Sequence, residues 1–296
     1  MGEEKLGTVF NTLEGLGLAS SETREVYADR TRDRDDLPVY RDALSGVVYI
    51  DGFYVGDEVY EEGEYRRQTV ERAGLRDLEL QEDIERRFSS YKQFITGRTV
   101  TEFGCGEGAF VKKASGSAVD VTGVELQDDF VQALTADGFK CFKSLQDIAP
   151  QSQDTVCAFH VLEHLPDPLS VLQQMSGVLK THGIVILEVP HASDLLLSQL
   201  KSDAFKRFTL WSQHLILHTR ESLRRLLQAG GLTDVAIEGV QRYPLSNHLN
   251  WLSEGKPGGH KSVLSALDTP ELKSAYEAAL RKMDSTDTLV AIARKP

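Results

Sequence analysis

Cysteine is scarce in this 296-residue chain. Cys105, Cys141 and Cys157 are an odd set with no C-x-x-C spacing. That excludes a disulfide framework and a zinc site built from cysteines. No apolar run approaches the length of a membrane span. The start, MGEEKLGTVF, lacks the basic and apolar stretches of a secretory signal, so the sequence predicts a cytoplasmic protein with no membrane partner. Positive charge is also short, with 33 Lys and Arg against 45 Asp and Glu and a formal net charge of −12. A sequence-independent grip on nucleic acid needs clustered cations. The short runs Lys112-Lys113 and Arg224-Arg225 read instead as solvated helix faces. What is present is an ordinary globular composition, 41% hydrophobic, able to bury a full core.

Residues 1–36 are polar and acidic, and DRTRDRDD (29–36) reads as a solvated segment. Two β-like runs follow, LPVYR (37–41) and GVVYID (46–51), with a turn at Ser45-Gly46. Leu80, Ile84, Phe88, Tyr91 and Phe94 recur at helical spacing and predict an amphipathic helix over 75–94. From residue 98 the pattern alternates. Strands are expected at 98–103, 118–126, 139–144, 154–162, 183–190, 235–243 and 288–295, the last two as an antiparallel pair. Helices separate most of them, including DPLSVLQQMSGVLK with Pro168 in its first turn and TRESLRRLLQAGG with a Thr cap and a double-Gly stop. The fold class is α/β: a Rossmann-like, seven-stranded, mainly parallel sheet with helices on both faces. An N-terminal cap (1–84) precedes the main domain (85–296), which carries insertions at 191–218 and 244–287 on the ligand-binding edge.

The first expected strand runs into TEFGCGEGAF. Gly104, Gly106 and Ala109 satisfy G-x-G-x-x-G/A, and Glu125 follows near the distance of a ribose-binding carboxylate. That pattern alone suits a dinucleotide. Glu102, two residues before the first glycine, decides otherwise. A pyrophosphate brought to this turn would be repelled by it. S-adenosylmethionine carries an ammonium and a sulfonium instead, and a carboxylate favours both. Gly104, Gly106 and Gly108 let the backbone approach the ligand.

With VTEFGCGEGAF, VTGVEL, DTVCAFHVLEHLPDPLSVLQQMSGVLKTHGIVILEVP and HLILHTRESLRRLLQAGG, the chain resembles the class I S-adenosylmethionine-dependent methyltransferases over most of 85–243. The resemblance implies roles for several residues. Glu102 would hold the methionine ammonium, Gly104, Gly106 and Gly108 the turn, and Glu125 with Leu126 the ribose side. Ser144 and Leu145 would edge the adenine, and Phe159 and His160 would lie beside the methionine tail.

Methyl transfer from a sulfonium asks the protein for in-line positioning and, for a hydroxyl acceptor, removal of a proton. Histidine suits that task near pH 7. His160, His164, His191, His214 and His218 gather after strand ends. Two readings stand. In one, His214 is the general base, as in nucleotide-sugar methyltransferases that it resembles there, with His191 as the next candidate and no metal. In the other, His160, Glu163, His164 and His214 hold a metal that binds a vicinal hydroxyl pair. Small-RNA 2'-O-methyltransferases and quinone-precursor O-methyltransferases look similar there, with E-x-x-E-H where this chain has H-x-x-E-H. Tyr60 and Tyr65 could cover the acceptor. The loop-like SNHLNWLSEGKPGGHKS, with Trp251, could close over a sugar ring. The expected function is O-methylation of a small molecule, first a sugar, nucleotide sugar or glycan precursor and second a quinone-like hydroxyl. A homodimer is compatible. The rivals from other classes are an NAD(P)-dependent sugar enzyme and a non-catalytic S-adenosylmethionine-binding module.

Overall fold

A computed structural model describes residues 8–61 and 73–296. Tyr65 lies outside them. The described part of the segment read as polar holds a short helix, α1 (Thr8–Gly15), which buries Val9 and Leu13. Strand β1 (Arg24–Ala28) follows, then β2 (Val39–Asp42) and β3 (Val48–Ile50) as an antiparallel hairpin. Its turn forms where Asp42 Oδ1 accepts the amides of Leu44 and Ser45, at 3.0 and 2.8 Å. Gly46 then supplies a φ of +72°, which a side chain disfavours. The sequence reading missed β1 because it opens on two charged residues, Arg24 and Glu25, and Val26 faces solvent.

A one-turn α2 (Asp57–Glu61) and the long α3 (Ala73–Ile95) lead into the main sheet. The proposed boundary at residue 84 falls inside α3. The alternating region then folds as β4 (Thr99–Phe103), α4 (Ala109–Ser115), β5 (Asp120–Val124), α5 (Asp128–Ala136), β6 (Lys140–Phe142), β7 (Gln153–Phe159), α6 (Pro168–Val178) and β8 (Leu179–Pro190). β8 starts four residues earlier than expected, because Leu179 already pairs with Gln153 and ends α6. Asp167 caps α6 by accepting the Ser170 amide at 3.1 Å, ahead of Pro168.

The first insertion supplies α7 (Asp203–Thr209) and β9 (Ile216–Leu217). The chain continues as α8 (Arg220–Ala229), β10 (Thr233–Val240), α9 (Leu245–Glu254), α10 (Pro270–Lys282) and β11 (Thr288–Arg294). The seven-stranded sheet runs β10-β11-β8-β7-β4-β5-β6, with β11 antiparallel to both neighbours. Order reverses between β4 and β7, so the ligand crevice of this sheet lies at the ends of β4, β5 and β7. Val156, Leu172, Leu187, Leu227 and Leu289 are fully buried in its core.

β9 does not join that sheet. It is the fourth strand of β1-β2-β3-β9, pairing Ile216 with Tyr49 and Leu217 with Val48. The N-terminal cap and the first insertion therefore share one core, with Leu13, Tyr49, Leu210 and Ile216. The second insertion packs against the first through Trp251, whose ring lies 5.2 Å from Phe205 and 5.0 Å from Phe208. SNHLNWLSE is helical and Trp251 is buried. Trp251 therefore packs inward, and only GKPGGHKS of the expected loop stays turn-like. Among the described residues no helix is long and apolar enough to cross a membrane.

Candidate active site

The turn after β4 is tight for a packing reason. Gly104 and Gly108 both adopt φ of +73°. A Cβ at Gly104 would come within 2.4 Å of Val161 Cγ2, so no side chain fits. Glu125, just beyond β5, pins the turn from the other side: Oε2 accepts the Gly106 amide at 2.7 Å and Oε1 accepts the Gln127 amide at 3.1 Å. Each carboxylate oxygen keeps a lone pair for a further donor. Glu102 is buried near the end of β4, and its Oε2 has no hydrogen-bond partner among the described residues. Burial pushes its carboxyl up to about 8, only partly opposed by the Arg87 guanidinium and the Val111 amide. A buried carboxyl with one unmet oxygen is a ready partner for a cationic ligand group.

A cleft of about 570 Å³ opens beside this turn. Gly104, Glu125, Leu126, Phe159, His160 and His164 line it. Phe159 is held between Tyr91, stacked at 6.1 Å, and Phe110, edge-on at 4.9 Å. Tyr54 and Tyr60 stack at 6.3 Å over one side, and Tyr60 meets His164 edge-on at 6.0 Å. Neither residue expected to edge the adenine lines this cleft. Leu145 is buried in the core and the Ser144 hydroxyl accepts the Gln146 amide of its own turn, whereas Lys143 faces the cleft.

Four side chains converge at the other end. Ligand atoms of Glu163, His164 and His214 all lie within 4.8 Å of one another. His164 Nδ1 donates to the Gln213 carbonyl at 2.9 Å, and His214 Nδ1 to the Thr209 carbonyl at 3.3 Å. Both imidazoles therefore present Nε2 toward the cluster as an acceptor. Glu163 Oε1 takes a 3.2 Å bond from His160 Nδ1, while Oε2 is buried without a partner among the described residues. His160 thus backs the cluster instead of completing it. Backbone bonds fix the spacing: the Leu215 amide donates to the Glu163 carbonyl at 2.7 Å, and the Ile50 amide donates to the Leu215 carbonyl at 2.9 Å. Although burial works to raise it, the bond from His160 holds Glu163 down at about 2. Burial, then the neighbouring His164, pushes His214 down to about 3; burial also lowers His164. An anionic carboxylate beside two neutral imidazoles suits a cation. The low basicity of His214 suits proton abstraction poorly.

A buried ionic frame ties α3 to the sheet. Glu188, fully buried on β8, accepts from Arg86 twice at 2.9 Å, from Arg87 at 2.8 Å and from Tyr91 at 2.8 Å. Arg242, just after β10, grips Asp83 through Nε and Nη2 and donates from Nη1 to His160 Nε2 at 3.0 Å. Sequence reasoning missed this frame, since nothing in a helix periodicity says which charged residues turn inward. His191 also departs from expectation. It is buried, bonds the Thr286 carbonyl at 3.0 Å, and does not line the cleft. His218 is likewise buried, on Ser222 Oγ at 3.0 Å.

Comparison with known proteins agrees with this geometry. Residues 72–237, more than half of the chain, match a family described as a methyltransferase domain. A ubiquinone biosynthesis O-methyltransferase of Idiomarina loihiensis is 26% identical over 167 residues, 51% of this chain and 68% of that protein. One of Methylococcus capsulatus is 24% identical over 194 residues, 61% of this chain and 82% of its own length. Among solved structures, an S-adenosylmethionine-dependent methyltransferase of Archaeoglobus fulgidus superposes with a TM-score of 0.50 at 20% identity, covering 72% of this chain and 94% of that one. Another, from Thermotoga maritima, gives 0.52 at 16% identity, covering 81% and 99%. These likenesses show the fold. With the family match over the turn and cleft just described, the chain belongs to the methyltransferase domain family and is an S-adenosylmethionine-dependent methyltransferase of class I fold.

Proposed function

We propose that this protein methylates a hydroxyl oxygen of a small molecule whose vicinal hydroxyl pair is held at Glu163, His164 and His214. The observation that carries the reading is the convergence of those three donors within 4.8 Å beside the cleft. The unpartnered Glu163 oxygen and the two inward Nε2 atoms fit a divalent cation. A set of two imidazoles and one carboxylate favours Mn²⁺, Fe²⁺ or Zn²⁺ over Mg²⁺. Bound there, a cation supplies Lewis acidity that makes a hydroxyl easier to deprotonate.

On the donor side S-adenosylmethionine supplies an electrophilic methyl group on a sulfonium. The chain's own residues orient it. Glu102 pairs with the ammonium through its unmet oxygen, Glu125 accepts from the ribose hydroxyls while bracing the turn, and Phe159 packs along the methionine tail. Leu126 and Lys143, rather than Ser144 and Leu145, edge the adenine. Tyr54 and Tyr60 exclude water from the cleft. Across the site the acceptor meets Glu163, His164 and His214, with His160 and Arg242 as positioning residues.

The relatives' name specifies O-methylation, which supports the oxygen acceptor. It lends nothing to a sugar, and the buried Trp251 offers no ring to close over one. A phenolic, catechol-like acceptor is the reading we prefer. A non-catalytic binding module would have no need of the acceptor-side cluster. His214 as a metal-free base remains the second reading, resting on its place beside the cleft-lining His164. The test is S-adenosylhomocysteine release on catechol and sugar panels, with metal analysis of the same protein. Turnover of catechols that falls with chelation and returns with Mn²⁺ or Zn²⁺ supports the first reading. Turnover indifferent to chelator overturns it in favour of the base.

A further inference from the structure

Two of the three cysteines converge on the cofactor turn. Cys105 stands between Gly104 and Gly106, and Cys141 lies on β6 opposite Gly123 of β5. Gly123 is in turn opposite Glu102, so Glu102, Gly123 and Cys141 form one row across three strands. The missing side chain at Gly123 leaves a hollow in that row, and both sulfurs fill it. A Cβ on Gly123 would lie 2.6 Å from Cys105 Sγ and 3.3 Å from Cys141 Sγ. The two thiols face that one hollow together, and the Cys105 Sγ also lies 3.9 Å from the Gly106 carbonyl. Cys157 sits fully buried on β7, on the far side of Glu102.

The pair is asymmetric. Cys105 is buried and Cys141 only half-buried. The neighbouring Cys105 thiol brings Cys141 below the usual thiol range, against the effect of burial, while Cys141 and burial raise Cys105. Both cysteines also adjoin the bonds that hold Glu125. Gly106, next to Cys105, donates to the Glu125 carboxylate at 2.7 Å, and the Phe142 carbonyl, next to Cys141, accepts the Glu125 amide at 2.9 Å. Drawing the sulfurs to the roughly 2.05 Å of a disulfide would pull on both of the segments that hold Glu125.

From this placement we infer that Cys105 and Cys141 are a redox-active dithiol, closed by a peroxide to a disulfide that reversibly disables the cofactor turn. The Cys141 thiolate attacks one peroxide oxygen and the O–O bond breaks. The departing hydroxide takes up a proton as water, leaving Cys141 as a sulfenic acid. The Cys105 sulfur then displaces the sulfenic hydroxyl, which leaves as a second water with the Cys105 proton. Two thiols are oxidised by two electrons, and one peroxide is reduced to two waters. The effect on the cofactor rests on the reading of the turn given above; the disulfide does not.

Treating the full chain with hydrogen peroxide, alkylating the remaining thiols and mapping peptides by mass tests the pair directly. Hydrogen exchange over residues 103–109 and calorimetry with S-adenosylhomocysteine read the turn. The expected result is a Cys105–Cys141 cross-link with Cys157 still alkylatable and faster exchange at the turn. Binding should fall about tenfold or more, the scale of one lost bond to a charged group, and return with dithiothreitol. C141A should keep its affinity through the same treatment. Over-oxidised Cys141 with no cross-link overturns the inference, as does a cross-link that leaves exchange unchanged. Reduced protein that binds no S-adenosylhomocysteine sinks the cofactor reading instead, and the cross-link and exchange data still decide the dithiol.

Discussion

Arg242 donates from Nη1 to Nε2 of His160 across 3.0 Å, and this bond sets the tautomer of the imidazole. With Nε2 accepting, the proton sits on Nδ1 and is given to Glu163 at 3.2 Å. Asp83, bound to the same guanidinium, anchors the relay to α3. His160→Phe should therefore disturb the cluster without removing a ligand. Affinity for Mn²⁺ or Zn²⁺ should fall roughly 10–100-fold, the usual cost of losing a partner behind a metal ligand. Metal titration of the two proteins measures it, and equal affinities would disconnect His160 from the cluster.

Cofactor binding should depend on pH through Glu102. Its carboxyl, raised to about 8 without ligand, is mostly protonated at neutral pH and must ionise to meet an ammonium. Affinity should rise from pH 6 to pH 8 and level off above, with a proton released on binding near pH 7. Calorimetry with S-adenosylhomocysteine in buffers of different ionisation heat detects that proton. Glu102→Gln should weaken binding by roughly 1.5–3 kcal/mol and flatten the pH dependence.

For His214 the two readings diverge. An imidazole pushed down to about 3 is already neutral throughout the working range, so it sets no limb near pH 6.5. His214→Asn should lower kcat by about 10²–10⁴ if it acts on the acceptor proton. A lost ligand should instead be rescued in part by excess divalent ion. Steady-state rates across pH, with and without added Mn²⁺, separate these outcomes.

Glu188 offers a stability test remote from the chemistry. Removing its charge by Glu188→Gln leaves Arg86 and Arg87 partly buried without their carboxylate, a loss of roughly 3–5 kcal/mol for a buried pair broken on one side. Although burial works against it, the two guanidiniums hold Glu188 down at about 2. Its stabilisation is therefore complete above the unfolded value near 4.5 and is lost as pH falls toward 2. Denaturant unfolding of both proteins at pH 7 and pH 3 should show the gap shrinking in acid.

The main sheet was legible because strands buried on both sides write themselves as apolar runs between glycine and proline stops. Ile184–Leu187, between Gly183 and Pro190, carries that signal. Glu102 was legible for a different reason: a lone acid at a strand end before a glycine turn has few structural uses. Of the N-terminal sheet only the β2–β3 hairpin was. β1 is half exposed, β9 is two residues long, and they meet only through β2 and β3. Likewise no spacing rule could place Cys141 beside Cys105, since their proximity follows from strand order and an absent side chain at Gly123.

On the proposed acceptor site, the pairing of β9 with β3 ties residues 8–50 to the groups that would meet the acceptor. His214 stands two residues before β9, and Leu215 bonds both Ile50 and Glu163. A change of volume inside the small N-terminal core would reach the proposed acceptor cluster through the Leu215 bonds, which do not pass through β4, β5 or the glycine turn. Recombination or drift at the N-terminus can therefore diversify substrates on a constant methyl-donor platform. For engineering, grafting residues 8–61 from a homologue is a more economical route to new acceptors than remodelling the cleft itself.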